Sequence, residues 1–357
     1  LDTAGMKYVI TDLIKGFDWS VICPSLCVHR QSGTQLEVSI KDQVAEFLEI
    51  PLRLPTSPVN NFHARVTAIS KKLRGRFDLI HSFDYASSWS EGLVAQVAGI
   101  PWVAEKTNLS WGKRWWLKIL LARRIVCLSN SQADLLRFWQ KKVAIIPTGI
   151  DLAKFQNAAP VCRKDFGLET ADIVLASVAH LVPVKGHVEL LQAVATVAAD
   201  LPDLKLLLVG TGETEHTRLL QNLTTSLRLD NRVIFAGRLD NVPNLLKMCD
   251  GKILATRNEG RREAFGAALV EAMAAGLPVI ATRSGGPEEI VIPGETGWLV
   301  DAEGSAPLAR AIRDFYADAE KRQRYGQAGQ RRAQQVYDKE IMIRRYEALY
   351  ESISATT

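Results

Sequence analysis

Residues 263 to 282 read Glu263-Ala-Phe-Gly266-Ala-Ala-Leu-Val-Glu271-Ala-Met-Ala-Ala-Gly276-Leu-Pro278-Val-Ile-Ala-Thr282, and Glu271 is the only charged side chain between Ala264 and Thr282. Alanine, leucine and methionine favour a helix from about Gly266 to Ala275, Gly276 suits its C-terminal cap, and Pro278 to Thr282 reads as a buried strand. Glu271 then sits mid-helix and Glu263 just ahead of it, eight positions away, or about 12 Å along the axis at helical rise. A carboxylate in such a run either points to solvent or faces a ligand, and this stretch alone leaves both readings open.

The same alternation extends in both directions. Around the Glu271 helix, strands are expected at 173–178, 204–209, 233–236, 252–255, 279–282 and 298–300, with helices at 188–199 and 217–227 and a helical tail at 306–316, 320–336 and 339–353. The first half repeats the pattern more loosely. Met6, Val9, Ile10, Leu13 and Ile14 make one face of a helix, Trp19 to Cys23 a short strand, Lys41 to Ile50 and Phe62 to Leu73 helices, and Phe77 to Ser82 a strand ending beside His81. Ser87 to Ala98 is a helix closed by Gly99, and strands follow at 100–104, 125–129 and 143–147. Such units imply parallel sheets with loops gathered at the carboxyl ends of the strands.

The fold class expected is therefore α/β, with two Rossmann-like domains facing across a cleft. The turn-rich Pro147-Thr-Gly149-Ile-Asp151 separates them. Residues 1–152 form the first domain, 153–337 the second, and the helix at 338–357 crosses back to the first. A doubly wound domain calls for a strand ahead of Gly5, and the sequence, which starts at Leu1 rather than Met, holds none there.

Composition narrows the function classes. With 357 residues, 47% hydrophobic and 23% charged, the chain suits two ordinary domains of about 150 to 200 residues each. A net charge of +5, from 44 basic against 39 acidic residues, sets up no field that calls for nucleic acid. Five scattered cysteines without CxxC spacing indicate neither a disulfide framework nor a metal site, so a reducing cytoplasm is the expected setting. No apolar run reaches the ~18 residues that span a bilayer. One stretch, Trp111-Gly-Lys113-Arg114-Trp115-Trp116-Leu-Lys118-Ile-Leu-Leu-Ala-Arg123-Arg124, combines three tryptophans with five basic residues. It reads either as an interfacial helix meeting anionic lipid or as a helix with its apolar side chains in the core.

Several turns in the second half suit a phosphorylated ligand. His180 and Lys185 share the loop after one strand, Gly210-Thr-Gly212 follows the next, and the amides of Phe265, Gly266 and Ala267 open the Glu271 helix. Singly these are weak signals, since a glycine pair is more often a tight turn and a lone lysine a solvated one. Together, at the carboxyl ends of one sheet, His180, Lys185 and the helix start would neutralise a diphosphate, and Glu271 could accept the two hydroxyls of a ribose.

In order along the chain, Asp78-Leu-Ile-His81, Ile146-Pro-Thr-Gly-Ile-Asp151, Leu181-Val-Pro-Val-Lys-Gly186, Glu263-Ala-Phe-Gly-(four residues)-Glu271-Ala-Met-Ala-Ala-Gly-Leu-Pro, Gly285-Gly286-Pro and Tyr337-Asp-Lys-Glu-Ile resemble glycosyltransferase family 4. The resemblance implies a retaining enzyme of GT-B fold that moves a sugar from a nucleotide-sugar donor to a hydroxyl acceptor, a glycan or lipid-linked glycan, without a metal or other cofactor. Glu271 would then hold the donor ribose, Glu263 would contact the donor sugar, and Lys185 would grip the diphosphate. The loop at Ala4 and Gly5 would approach the donor phosphates, His81 would lie near the transferred sugar, and Gly237 and Arg238 would meet the nucleobase.

Two positions depart from the pattern. His180 stands where the family has arginine, and Phe83 where a second histidine is frequent. Histidine, with an unperturbed pKa of ~6.5, is only partly charged at neutral pH, so donor binding that strengthens as pH falls is expected. The alternatives on the same architecture are a nucleotide-sugar 2-epimerase and a non-catalytic donor-binding homologue. The expected location is cytoplasmic, peripheral on the membrane face if the tryptophan stretch meets lipid.

Overall fold

The computed structural model describes residues 6–29, 35–54, 61–83, 88–112, 114–259 and 262–355. The chain divides into two units, Leu1–Gly149 with Lys339–Thr357, and Ile150–Asp338.

In the second unit six strands form one sheet: β7 (Ile173–Val178), β8 (Leu204–Val209), β9 (Val233–Gly237), β10 (Gly251–Leu254), β11 (Val279–Thr282) and β12 (Gly297–Val300). Their spatial order is β12-β11-β10-β7-β8-β9, and every pair is parallel. A parallel sheet covered by helices on both faces needs apolar side chains on both, which is why Leu-Lys-Leu-Leu-Leu-Val at β8 is nearly continuous rather than alternating. On one face Leu175, Leu206, Leu208 and Ile253 pack with Leu190 and Val194 of the helix His187–Val197 and with Ile312 and Phe315 of the helix Ala306–Ala317. The sheet order reverses direction between β7 and β10, and the loops at the carboxyl ends of those two strands carry the residues considered below.

The first unit holds two smaller parallel sheets. The strands β1 (Leu26–Val28) and β2 (Phe47–Glu49) pair with each other, while β3 (Ile80–Ser82), β4 (Trp102–Lys106), β5 (Arg124–Cys127) and β6 (Val143–Ile145) follow in sequence order. The helix Lys339–Ser354 belongs to this unit, where Met342, Ile343 and Tyr346 pack with Val9, Leu13 and Val126.

Two expected elements are corrected. The span Trp19 to Cys23 is a turn, because the Asp18 carboxylate accepts hydrogen bonds from the Ser20 amide at 2.9 Å and hydroxyl at 2.7 Å and its carbonyl binds the amides of Val21 and Ile22. The strand comes three residues later. Lys41 to Ile50 is not a helix: the helix Gln35–Lys41 ends there, and Phe47 and Leu48 are drawn into β2 opposite Leu26 and Cys27. Sheet pairing outweighs the helical leaning of Gln43 to Glu46. Gly5 lies outside the described residues, as does everything before it.

Candidate functional site

β7 ends at Val178, and the chain passes an exposed His180 into a 3-10 turn at Pro183–Lys185 before the next helix begins. Gly186 makes that junction with φ +67°, and a Cβ there would sit 2.0 Å from the Ala255 carbonyl oxygen. Only glycine permits such an approach of the β7 loop to the end of β10. The two loops are also laced by the Arg257 amide, which donates to the Val184 carbonyl at 2.9 Å.

That approach delivers Lys185 to Glu263. The ammonium lies 2.5 Å from Glu263 Oε2, and both side chains are largely enclosed, at 22% and 18% exposure. Thr256 donates to the same oxygen at 3.3 Å, and the Glu263 carbonyl accepts from the Gly286 amide at 2.8 Å. Loops following β7, β10 and β11 therefore meet at this one glutamate, fixed by main chain and side chain alike.

The helix Ala267–Ala274 begins immediately after, with Gly266 at φ +99° ahead of its first turn. Leu269, Val270, Ala272, Met273 and Ala274 are buried, whereas Ala267, Ala268 and Glu271 lie along one less buried stripe. This spacing places Glu271 on the helix's open face, below its N-terminus. Burial raises the Glu271 carboxyl above its usual range, and Lys252 and Lys154 oppose the rise. Among the described residues no side-chain or main-chain group donates a hydrogen bond to the Glu271 carboxylate. Phe265 is buried in an edge-on contact with Tyr337, ring centroids 5.7 Å apart, so its side chain anchors the helix start.

Lys252 escaped sequence reasoning. It is the second residue of β10, fully buried, and its ammonium donates to the Val178 carbonyl at 3.3 Å. Burial pushes its pKa down to about 8; Glu271 and Glu263 counter the shift and Lys185 adds to it, so these four charges share one neighbourhood. The overlooked signal was a lysine in a strand where Gly251, Ile253 and Leu254 are all apolar. Among the described residues, His180, Gly237 and Arg238 form no hydrogen bond or ion pair with these four charges. His180 is exposed, and Arg238, following Gly237 at the end of β9, pairs at 3.6 Å with exposed Asp240.

His81 belongs to the first unit, on β3. Its Nδ1 is 2.6 Å from the Tyr350 hydroxyl, and its ring stacks at 4.0 Å on Phe83, the residue that replaces the second histidine. Burial lowers its pKa to about 3, so the imidazole is neutral, and Nε2 is buried without a partner among the described residues. Tyr346, on the same helix as Tyr350, donates to Glu105 Oε1 at 3.0 Å, and burial raises the Glu105 carboxyl to about 8. A cavity of about 1800 Å³ opens beside His81, lined by Leu13, Phe17, Val28, Ile50 and Trp89 among others.

The tryptophan stretch divides between the two readings. Trp115 (3% exposed) and Ile119 sit in the core of the first unit, with the Lys106 ammonium 4.4 Å above the Trp115 ring, while Trp116 (53%) and Leu120 are exposed. Lys113 lies outside the described residues. No helix among the described residues is long and apolar enough to cross a membrane.

Two all-parallel α/β units, one with charged side chains converging at the switch point of its sheet, define the GT-B class of glycosyltransferase folds. Residues 5–154 match the model for Glycosyltransferase Family 4 and residues 160–332 the model for Glycosyl transferases group 1, and the chain belongs to this family. It is 32% identical to an N-acetyl-alpha-D-glucosaminyl L-malate synthase of Bacillus anthracis over 56% of this chain and 50% of that one. It is 26% identical to a UDP-Gal:alpha-D-GlcNAc-diphosphoundecaprenol alpha-1,3-galactosyltransferase of Escherichia coli over 80% and 76%. The chain spans about half the length of the first curated relatives it matches. Among solved structures, Anabaena HepE in complex with UDP superposes with a TM-score of 0.80 at 20% identity, covering 98% of this chain and 96% of that one. A glycosyltransferase from Rickettsia africae gives 0.85 at 19%, covering 100% and 97%. At these identities the superpositions speak for the fold.

Proposed function

We propose that this chain is a retaining glycosyltransferase that moves a sugar from a nucleoside diphosphate sugar to a hydroxyl acceptor. The observation that carries the reading is the Lys185–Glu263 pair at 2.5 Å, set ahead of a helix whose less buried face carries Glu271, a carboxylate that accepts no hydrogen bond among the described residues. Lys185, with the amides of Phe265, Gly266 and Ala267, binds the diphosphate and stabilises the charge that develops on it as the glycosidic bond breaks. Glu263 orients Lys185 and faces the donor sugar. Glu271 accepts the ribose hydroxyls, a role suited to a carboxylate with free lone pairs in a half-buried place. Gly237 and Arg238 line the nucleobase, and His180 adds to the phosphate site. In the first unit, His81, a neutral imidazole, is assigned to the neighbourhood of the transferred sugar. The acceptor hydroxyl attacks the anomeric carbon from the face that the diphosphate leaves, its new bond forming as the sugar–phosphate bond breaks and its proton passing to the departing phosphate oxygen, so positioning and charge stabilisation replace a protein nucleophile.

The acceptor class proposed is a lipid-linked glycan reached from the cytoplasmic membrane face. Exposed Trp116 and Leu120 support this, as does the similarity to a galactosyltransferase named for a diphosphoundecaprenol-linked sugar and a mannosyltransferase named for a phosphatidylinositol mannoside.

The test is incubation with UDP- and GDP-sugars with and without a panel of polyprenyl-diphosphate and glycan acceptors. Release of nucleoside diphosphate only with acceptor supports transfer. Release or isomerisation without acceptor supports the epimerase, and binding without turnover a non-catalytic homologue. Because no step is assigned to a divalent metal, saturating EDTA should leave turnover within about twofold; loss of activity restored by Mg²⁺ or Mn²⁺ would overturn that part of the mechanism.

A further inference from the structure

A charged residue on a central strand has to be explained by what it serves. Lys252 lies on β10 between β7 and β11, opposite Ala176 and Val279. Side chains alternate across a sheet. Gly251 faces Phe315, and Ile253 packs in the cluster of the helices His187–Val197 and Ala306–Ala317, so Lys252 projects to the opposite face, where the Glu271 helix packs. A leucine or methionine would fill that space without removing an ammonium from water, a removal that is strongly unfavourable unless the charge is met. What meets it is the Val178 carbonyl at 3.3 Å, the last residue of β7, and the field of Glu271.

We propose that Lys252 is a positioning residue of the donor site: from inside the sheet its ammonium is the counter-charge that keeps Glu271 ready to accept the ribose hydroxyls, while tethering the carboxyl end of β7. The inference rests on the reading of Glu271 as the ribose ligand. Lys154, Lys185 and Glu263 also act on this neighbourhood, but Lys185 and Glu263 are paired with each other and Lys154 reaches Glu271 from a separate short helix, Leu152–Gln156. Lys252 is the fully buried one of the four.

The test is a comparison of two probes on the full chain: UDP, or GDP if that is the tighter, and its 2′,3′-dideoxy analogue, which lacks the hydroxyls. Lys252→Met should weaken the ribonucleotide about tenfold, the scale of a charge-assisted contact, and the dideoxy analogue less than twofold. In a Glu271→Gln background, where the charge is already gone, Lys252→Met should change ribonucleotide affinity less than twofold. Lys252→Arg should restore most of the wild-type affinity. Equal weakening of both probes by Lys252→Met, or full additivity with Glu271→Gln, would make Lys252 a structural residue only and overturn the proposal. If Glu271→Gln itself leaves the ribonucleotide affinity unchanged, the donor-site reading fails instead, a distinguishable result. Should Lys252→Met not fold, Lys252→Gln carries the same comparison, and the dideoxy probe reports on any general loosening of the site.

Discussion

Glu105 shows how burial sets the behaviour of a single residue in this molecule. Its carboxyl is raised to about 8 by desolvation, with the Tyr346 hydroxyl opposing, against an ordinary value of 4.5. Between about pH 4.5 and 8 the folded chain keeps a proton that the unfolded chain has lost, so this group makes stability fall as pH rises through that window and level off above it. Glu105→Gln, which can still accept from Tyr346, should therefore melt higher than wild type at pH 8, by on the order of a few degrees, and match it near pH 5. A melting difference that is the same at both pH values would contradict the assignment. Residues of this kind were the least legible in the sequence. Glu271 drew notice because it interrupts an apolar run, but Glu105 sits next to Lys106, and Lys252 next to Asp250 and Gly251, where a charge looks like an ordinary strand end. Their burial is a consequence of which strands flank them, and that is tertiary information.

Among elements, the loop that carries Lys185 depends on Gly186. An alanine there would combine a left-handed conformation with a Cβ 2.0 Å from the Ala255 carbonyl, so Gly186→Ala should destabilise the second unit by more than about 2 kcal/mol in chemical denaturation. A loss below about 0.5 kcal/mol would mean that the loop shifts freely, and that Lys185 is not rigidly placed. The helix Trp115–Leu121 makes a different prediction. Its last carbonyls, at Ile119, Leu120 and Ala122, accept three bonds from the Lys142 ammonium at 2.7, 3.1 and 2.8 Å, so it is held in place while exposing Trp116 and Leu120. Trp116→Ala/Leu120→Ala should release the protein from anionic vesicles at low salt without lowering its melting temperature, and equal sedimentation of both proteins would refute membrane contact. Trp115→Ala, by contrast, should unfold. The strands of the second unit were readable almost to the residue, because a strand buried on both faces leaves a continuous apolar run between glycines and prolines. In the first unit β1 and β2 are only three residues each, too short to show a period, and the Asp18 turn mimicked a strand with Trp19, Val21 and Ile22.

For the whole molecule, the chain's return from Asp338 makes the first unit depend on its C-terminal helix. Met342, Ile343, Tyr346 and Ile353 are nearly fully buried there. Each contributes about 1.5–3 kcal/mol, and together they rival the ~5–15 kcal/mol that holds a typical domain. Truncation after Asp338 should therefore leave the first unit open to proteolysis while residues 160–332 persist as a resistant fragment; uniform resistance would show the helix to be dispensable. The division near Gly149 was suggested by its turn-rich sequence, whereas the pairing of Glu263 with Lys185 needed three separate loops to be brought together and was not foreseen, since the resemblance gave each residue a role at the donor but no contact between them. The function proposed for these loops and Glu271 is to form a nucleotide-sugar site. Calorimetric titration of UDP and GDP into wild type and Glu271→Gln tests it most directly. Wild type should bind one equivalent of one nucleotide and the variant at least about tenfold more weakly, with melting temperatures within about 2 °C of each other. Binding of neither nucleotide by wild type, or equal affinities in the two proteins, would contradict it.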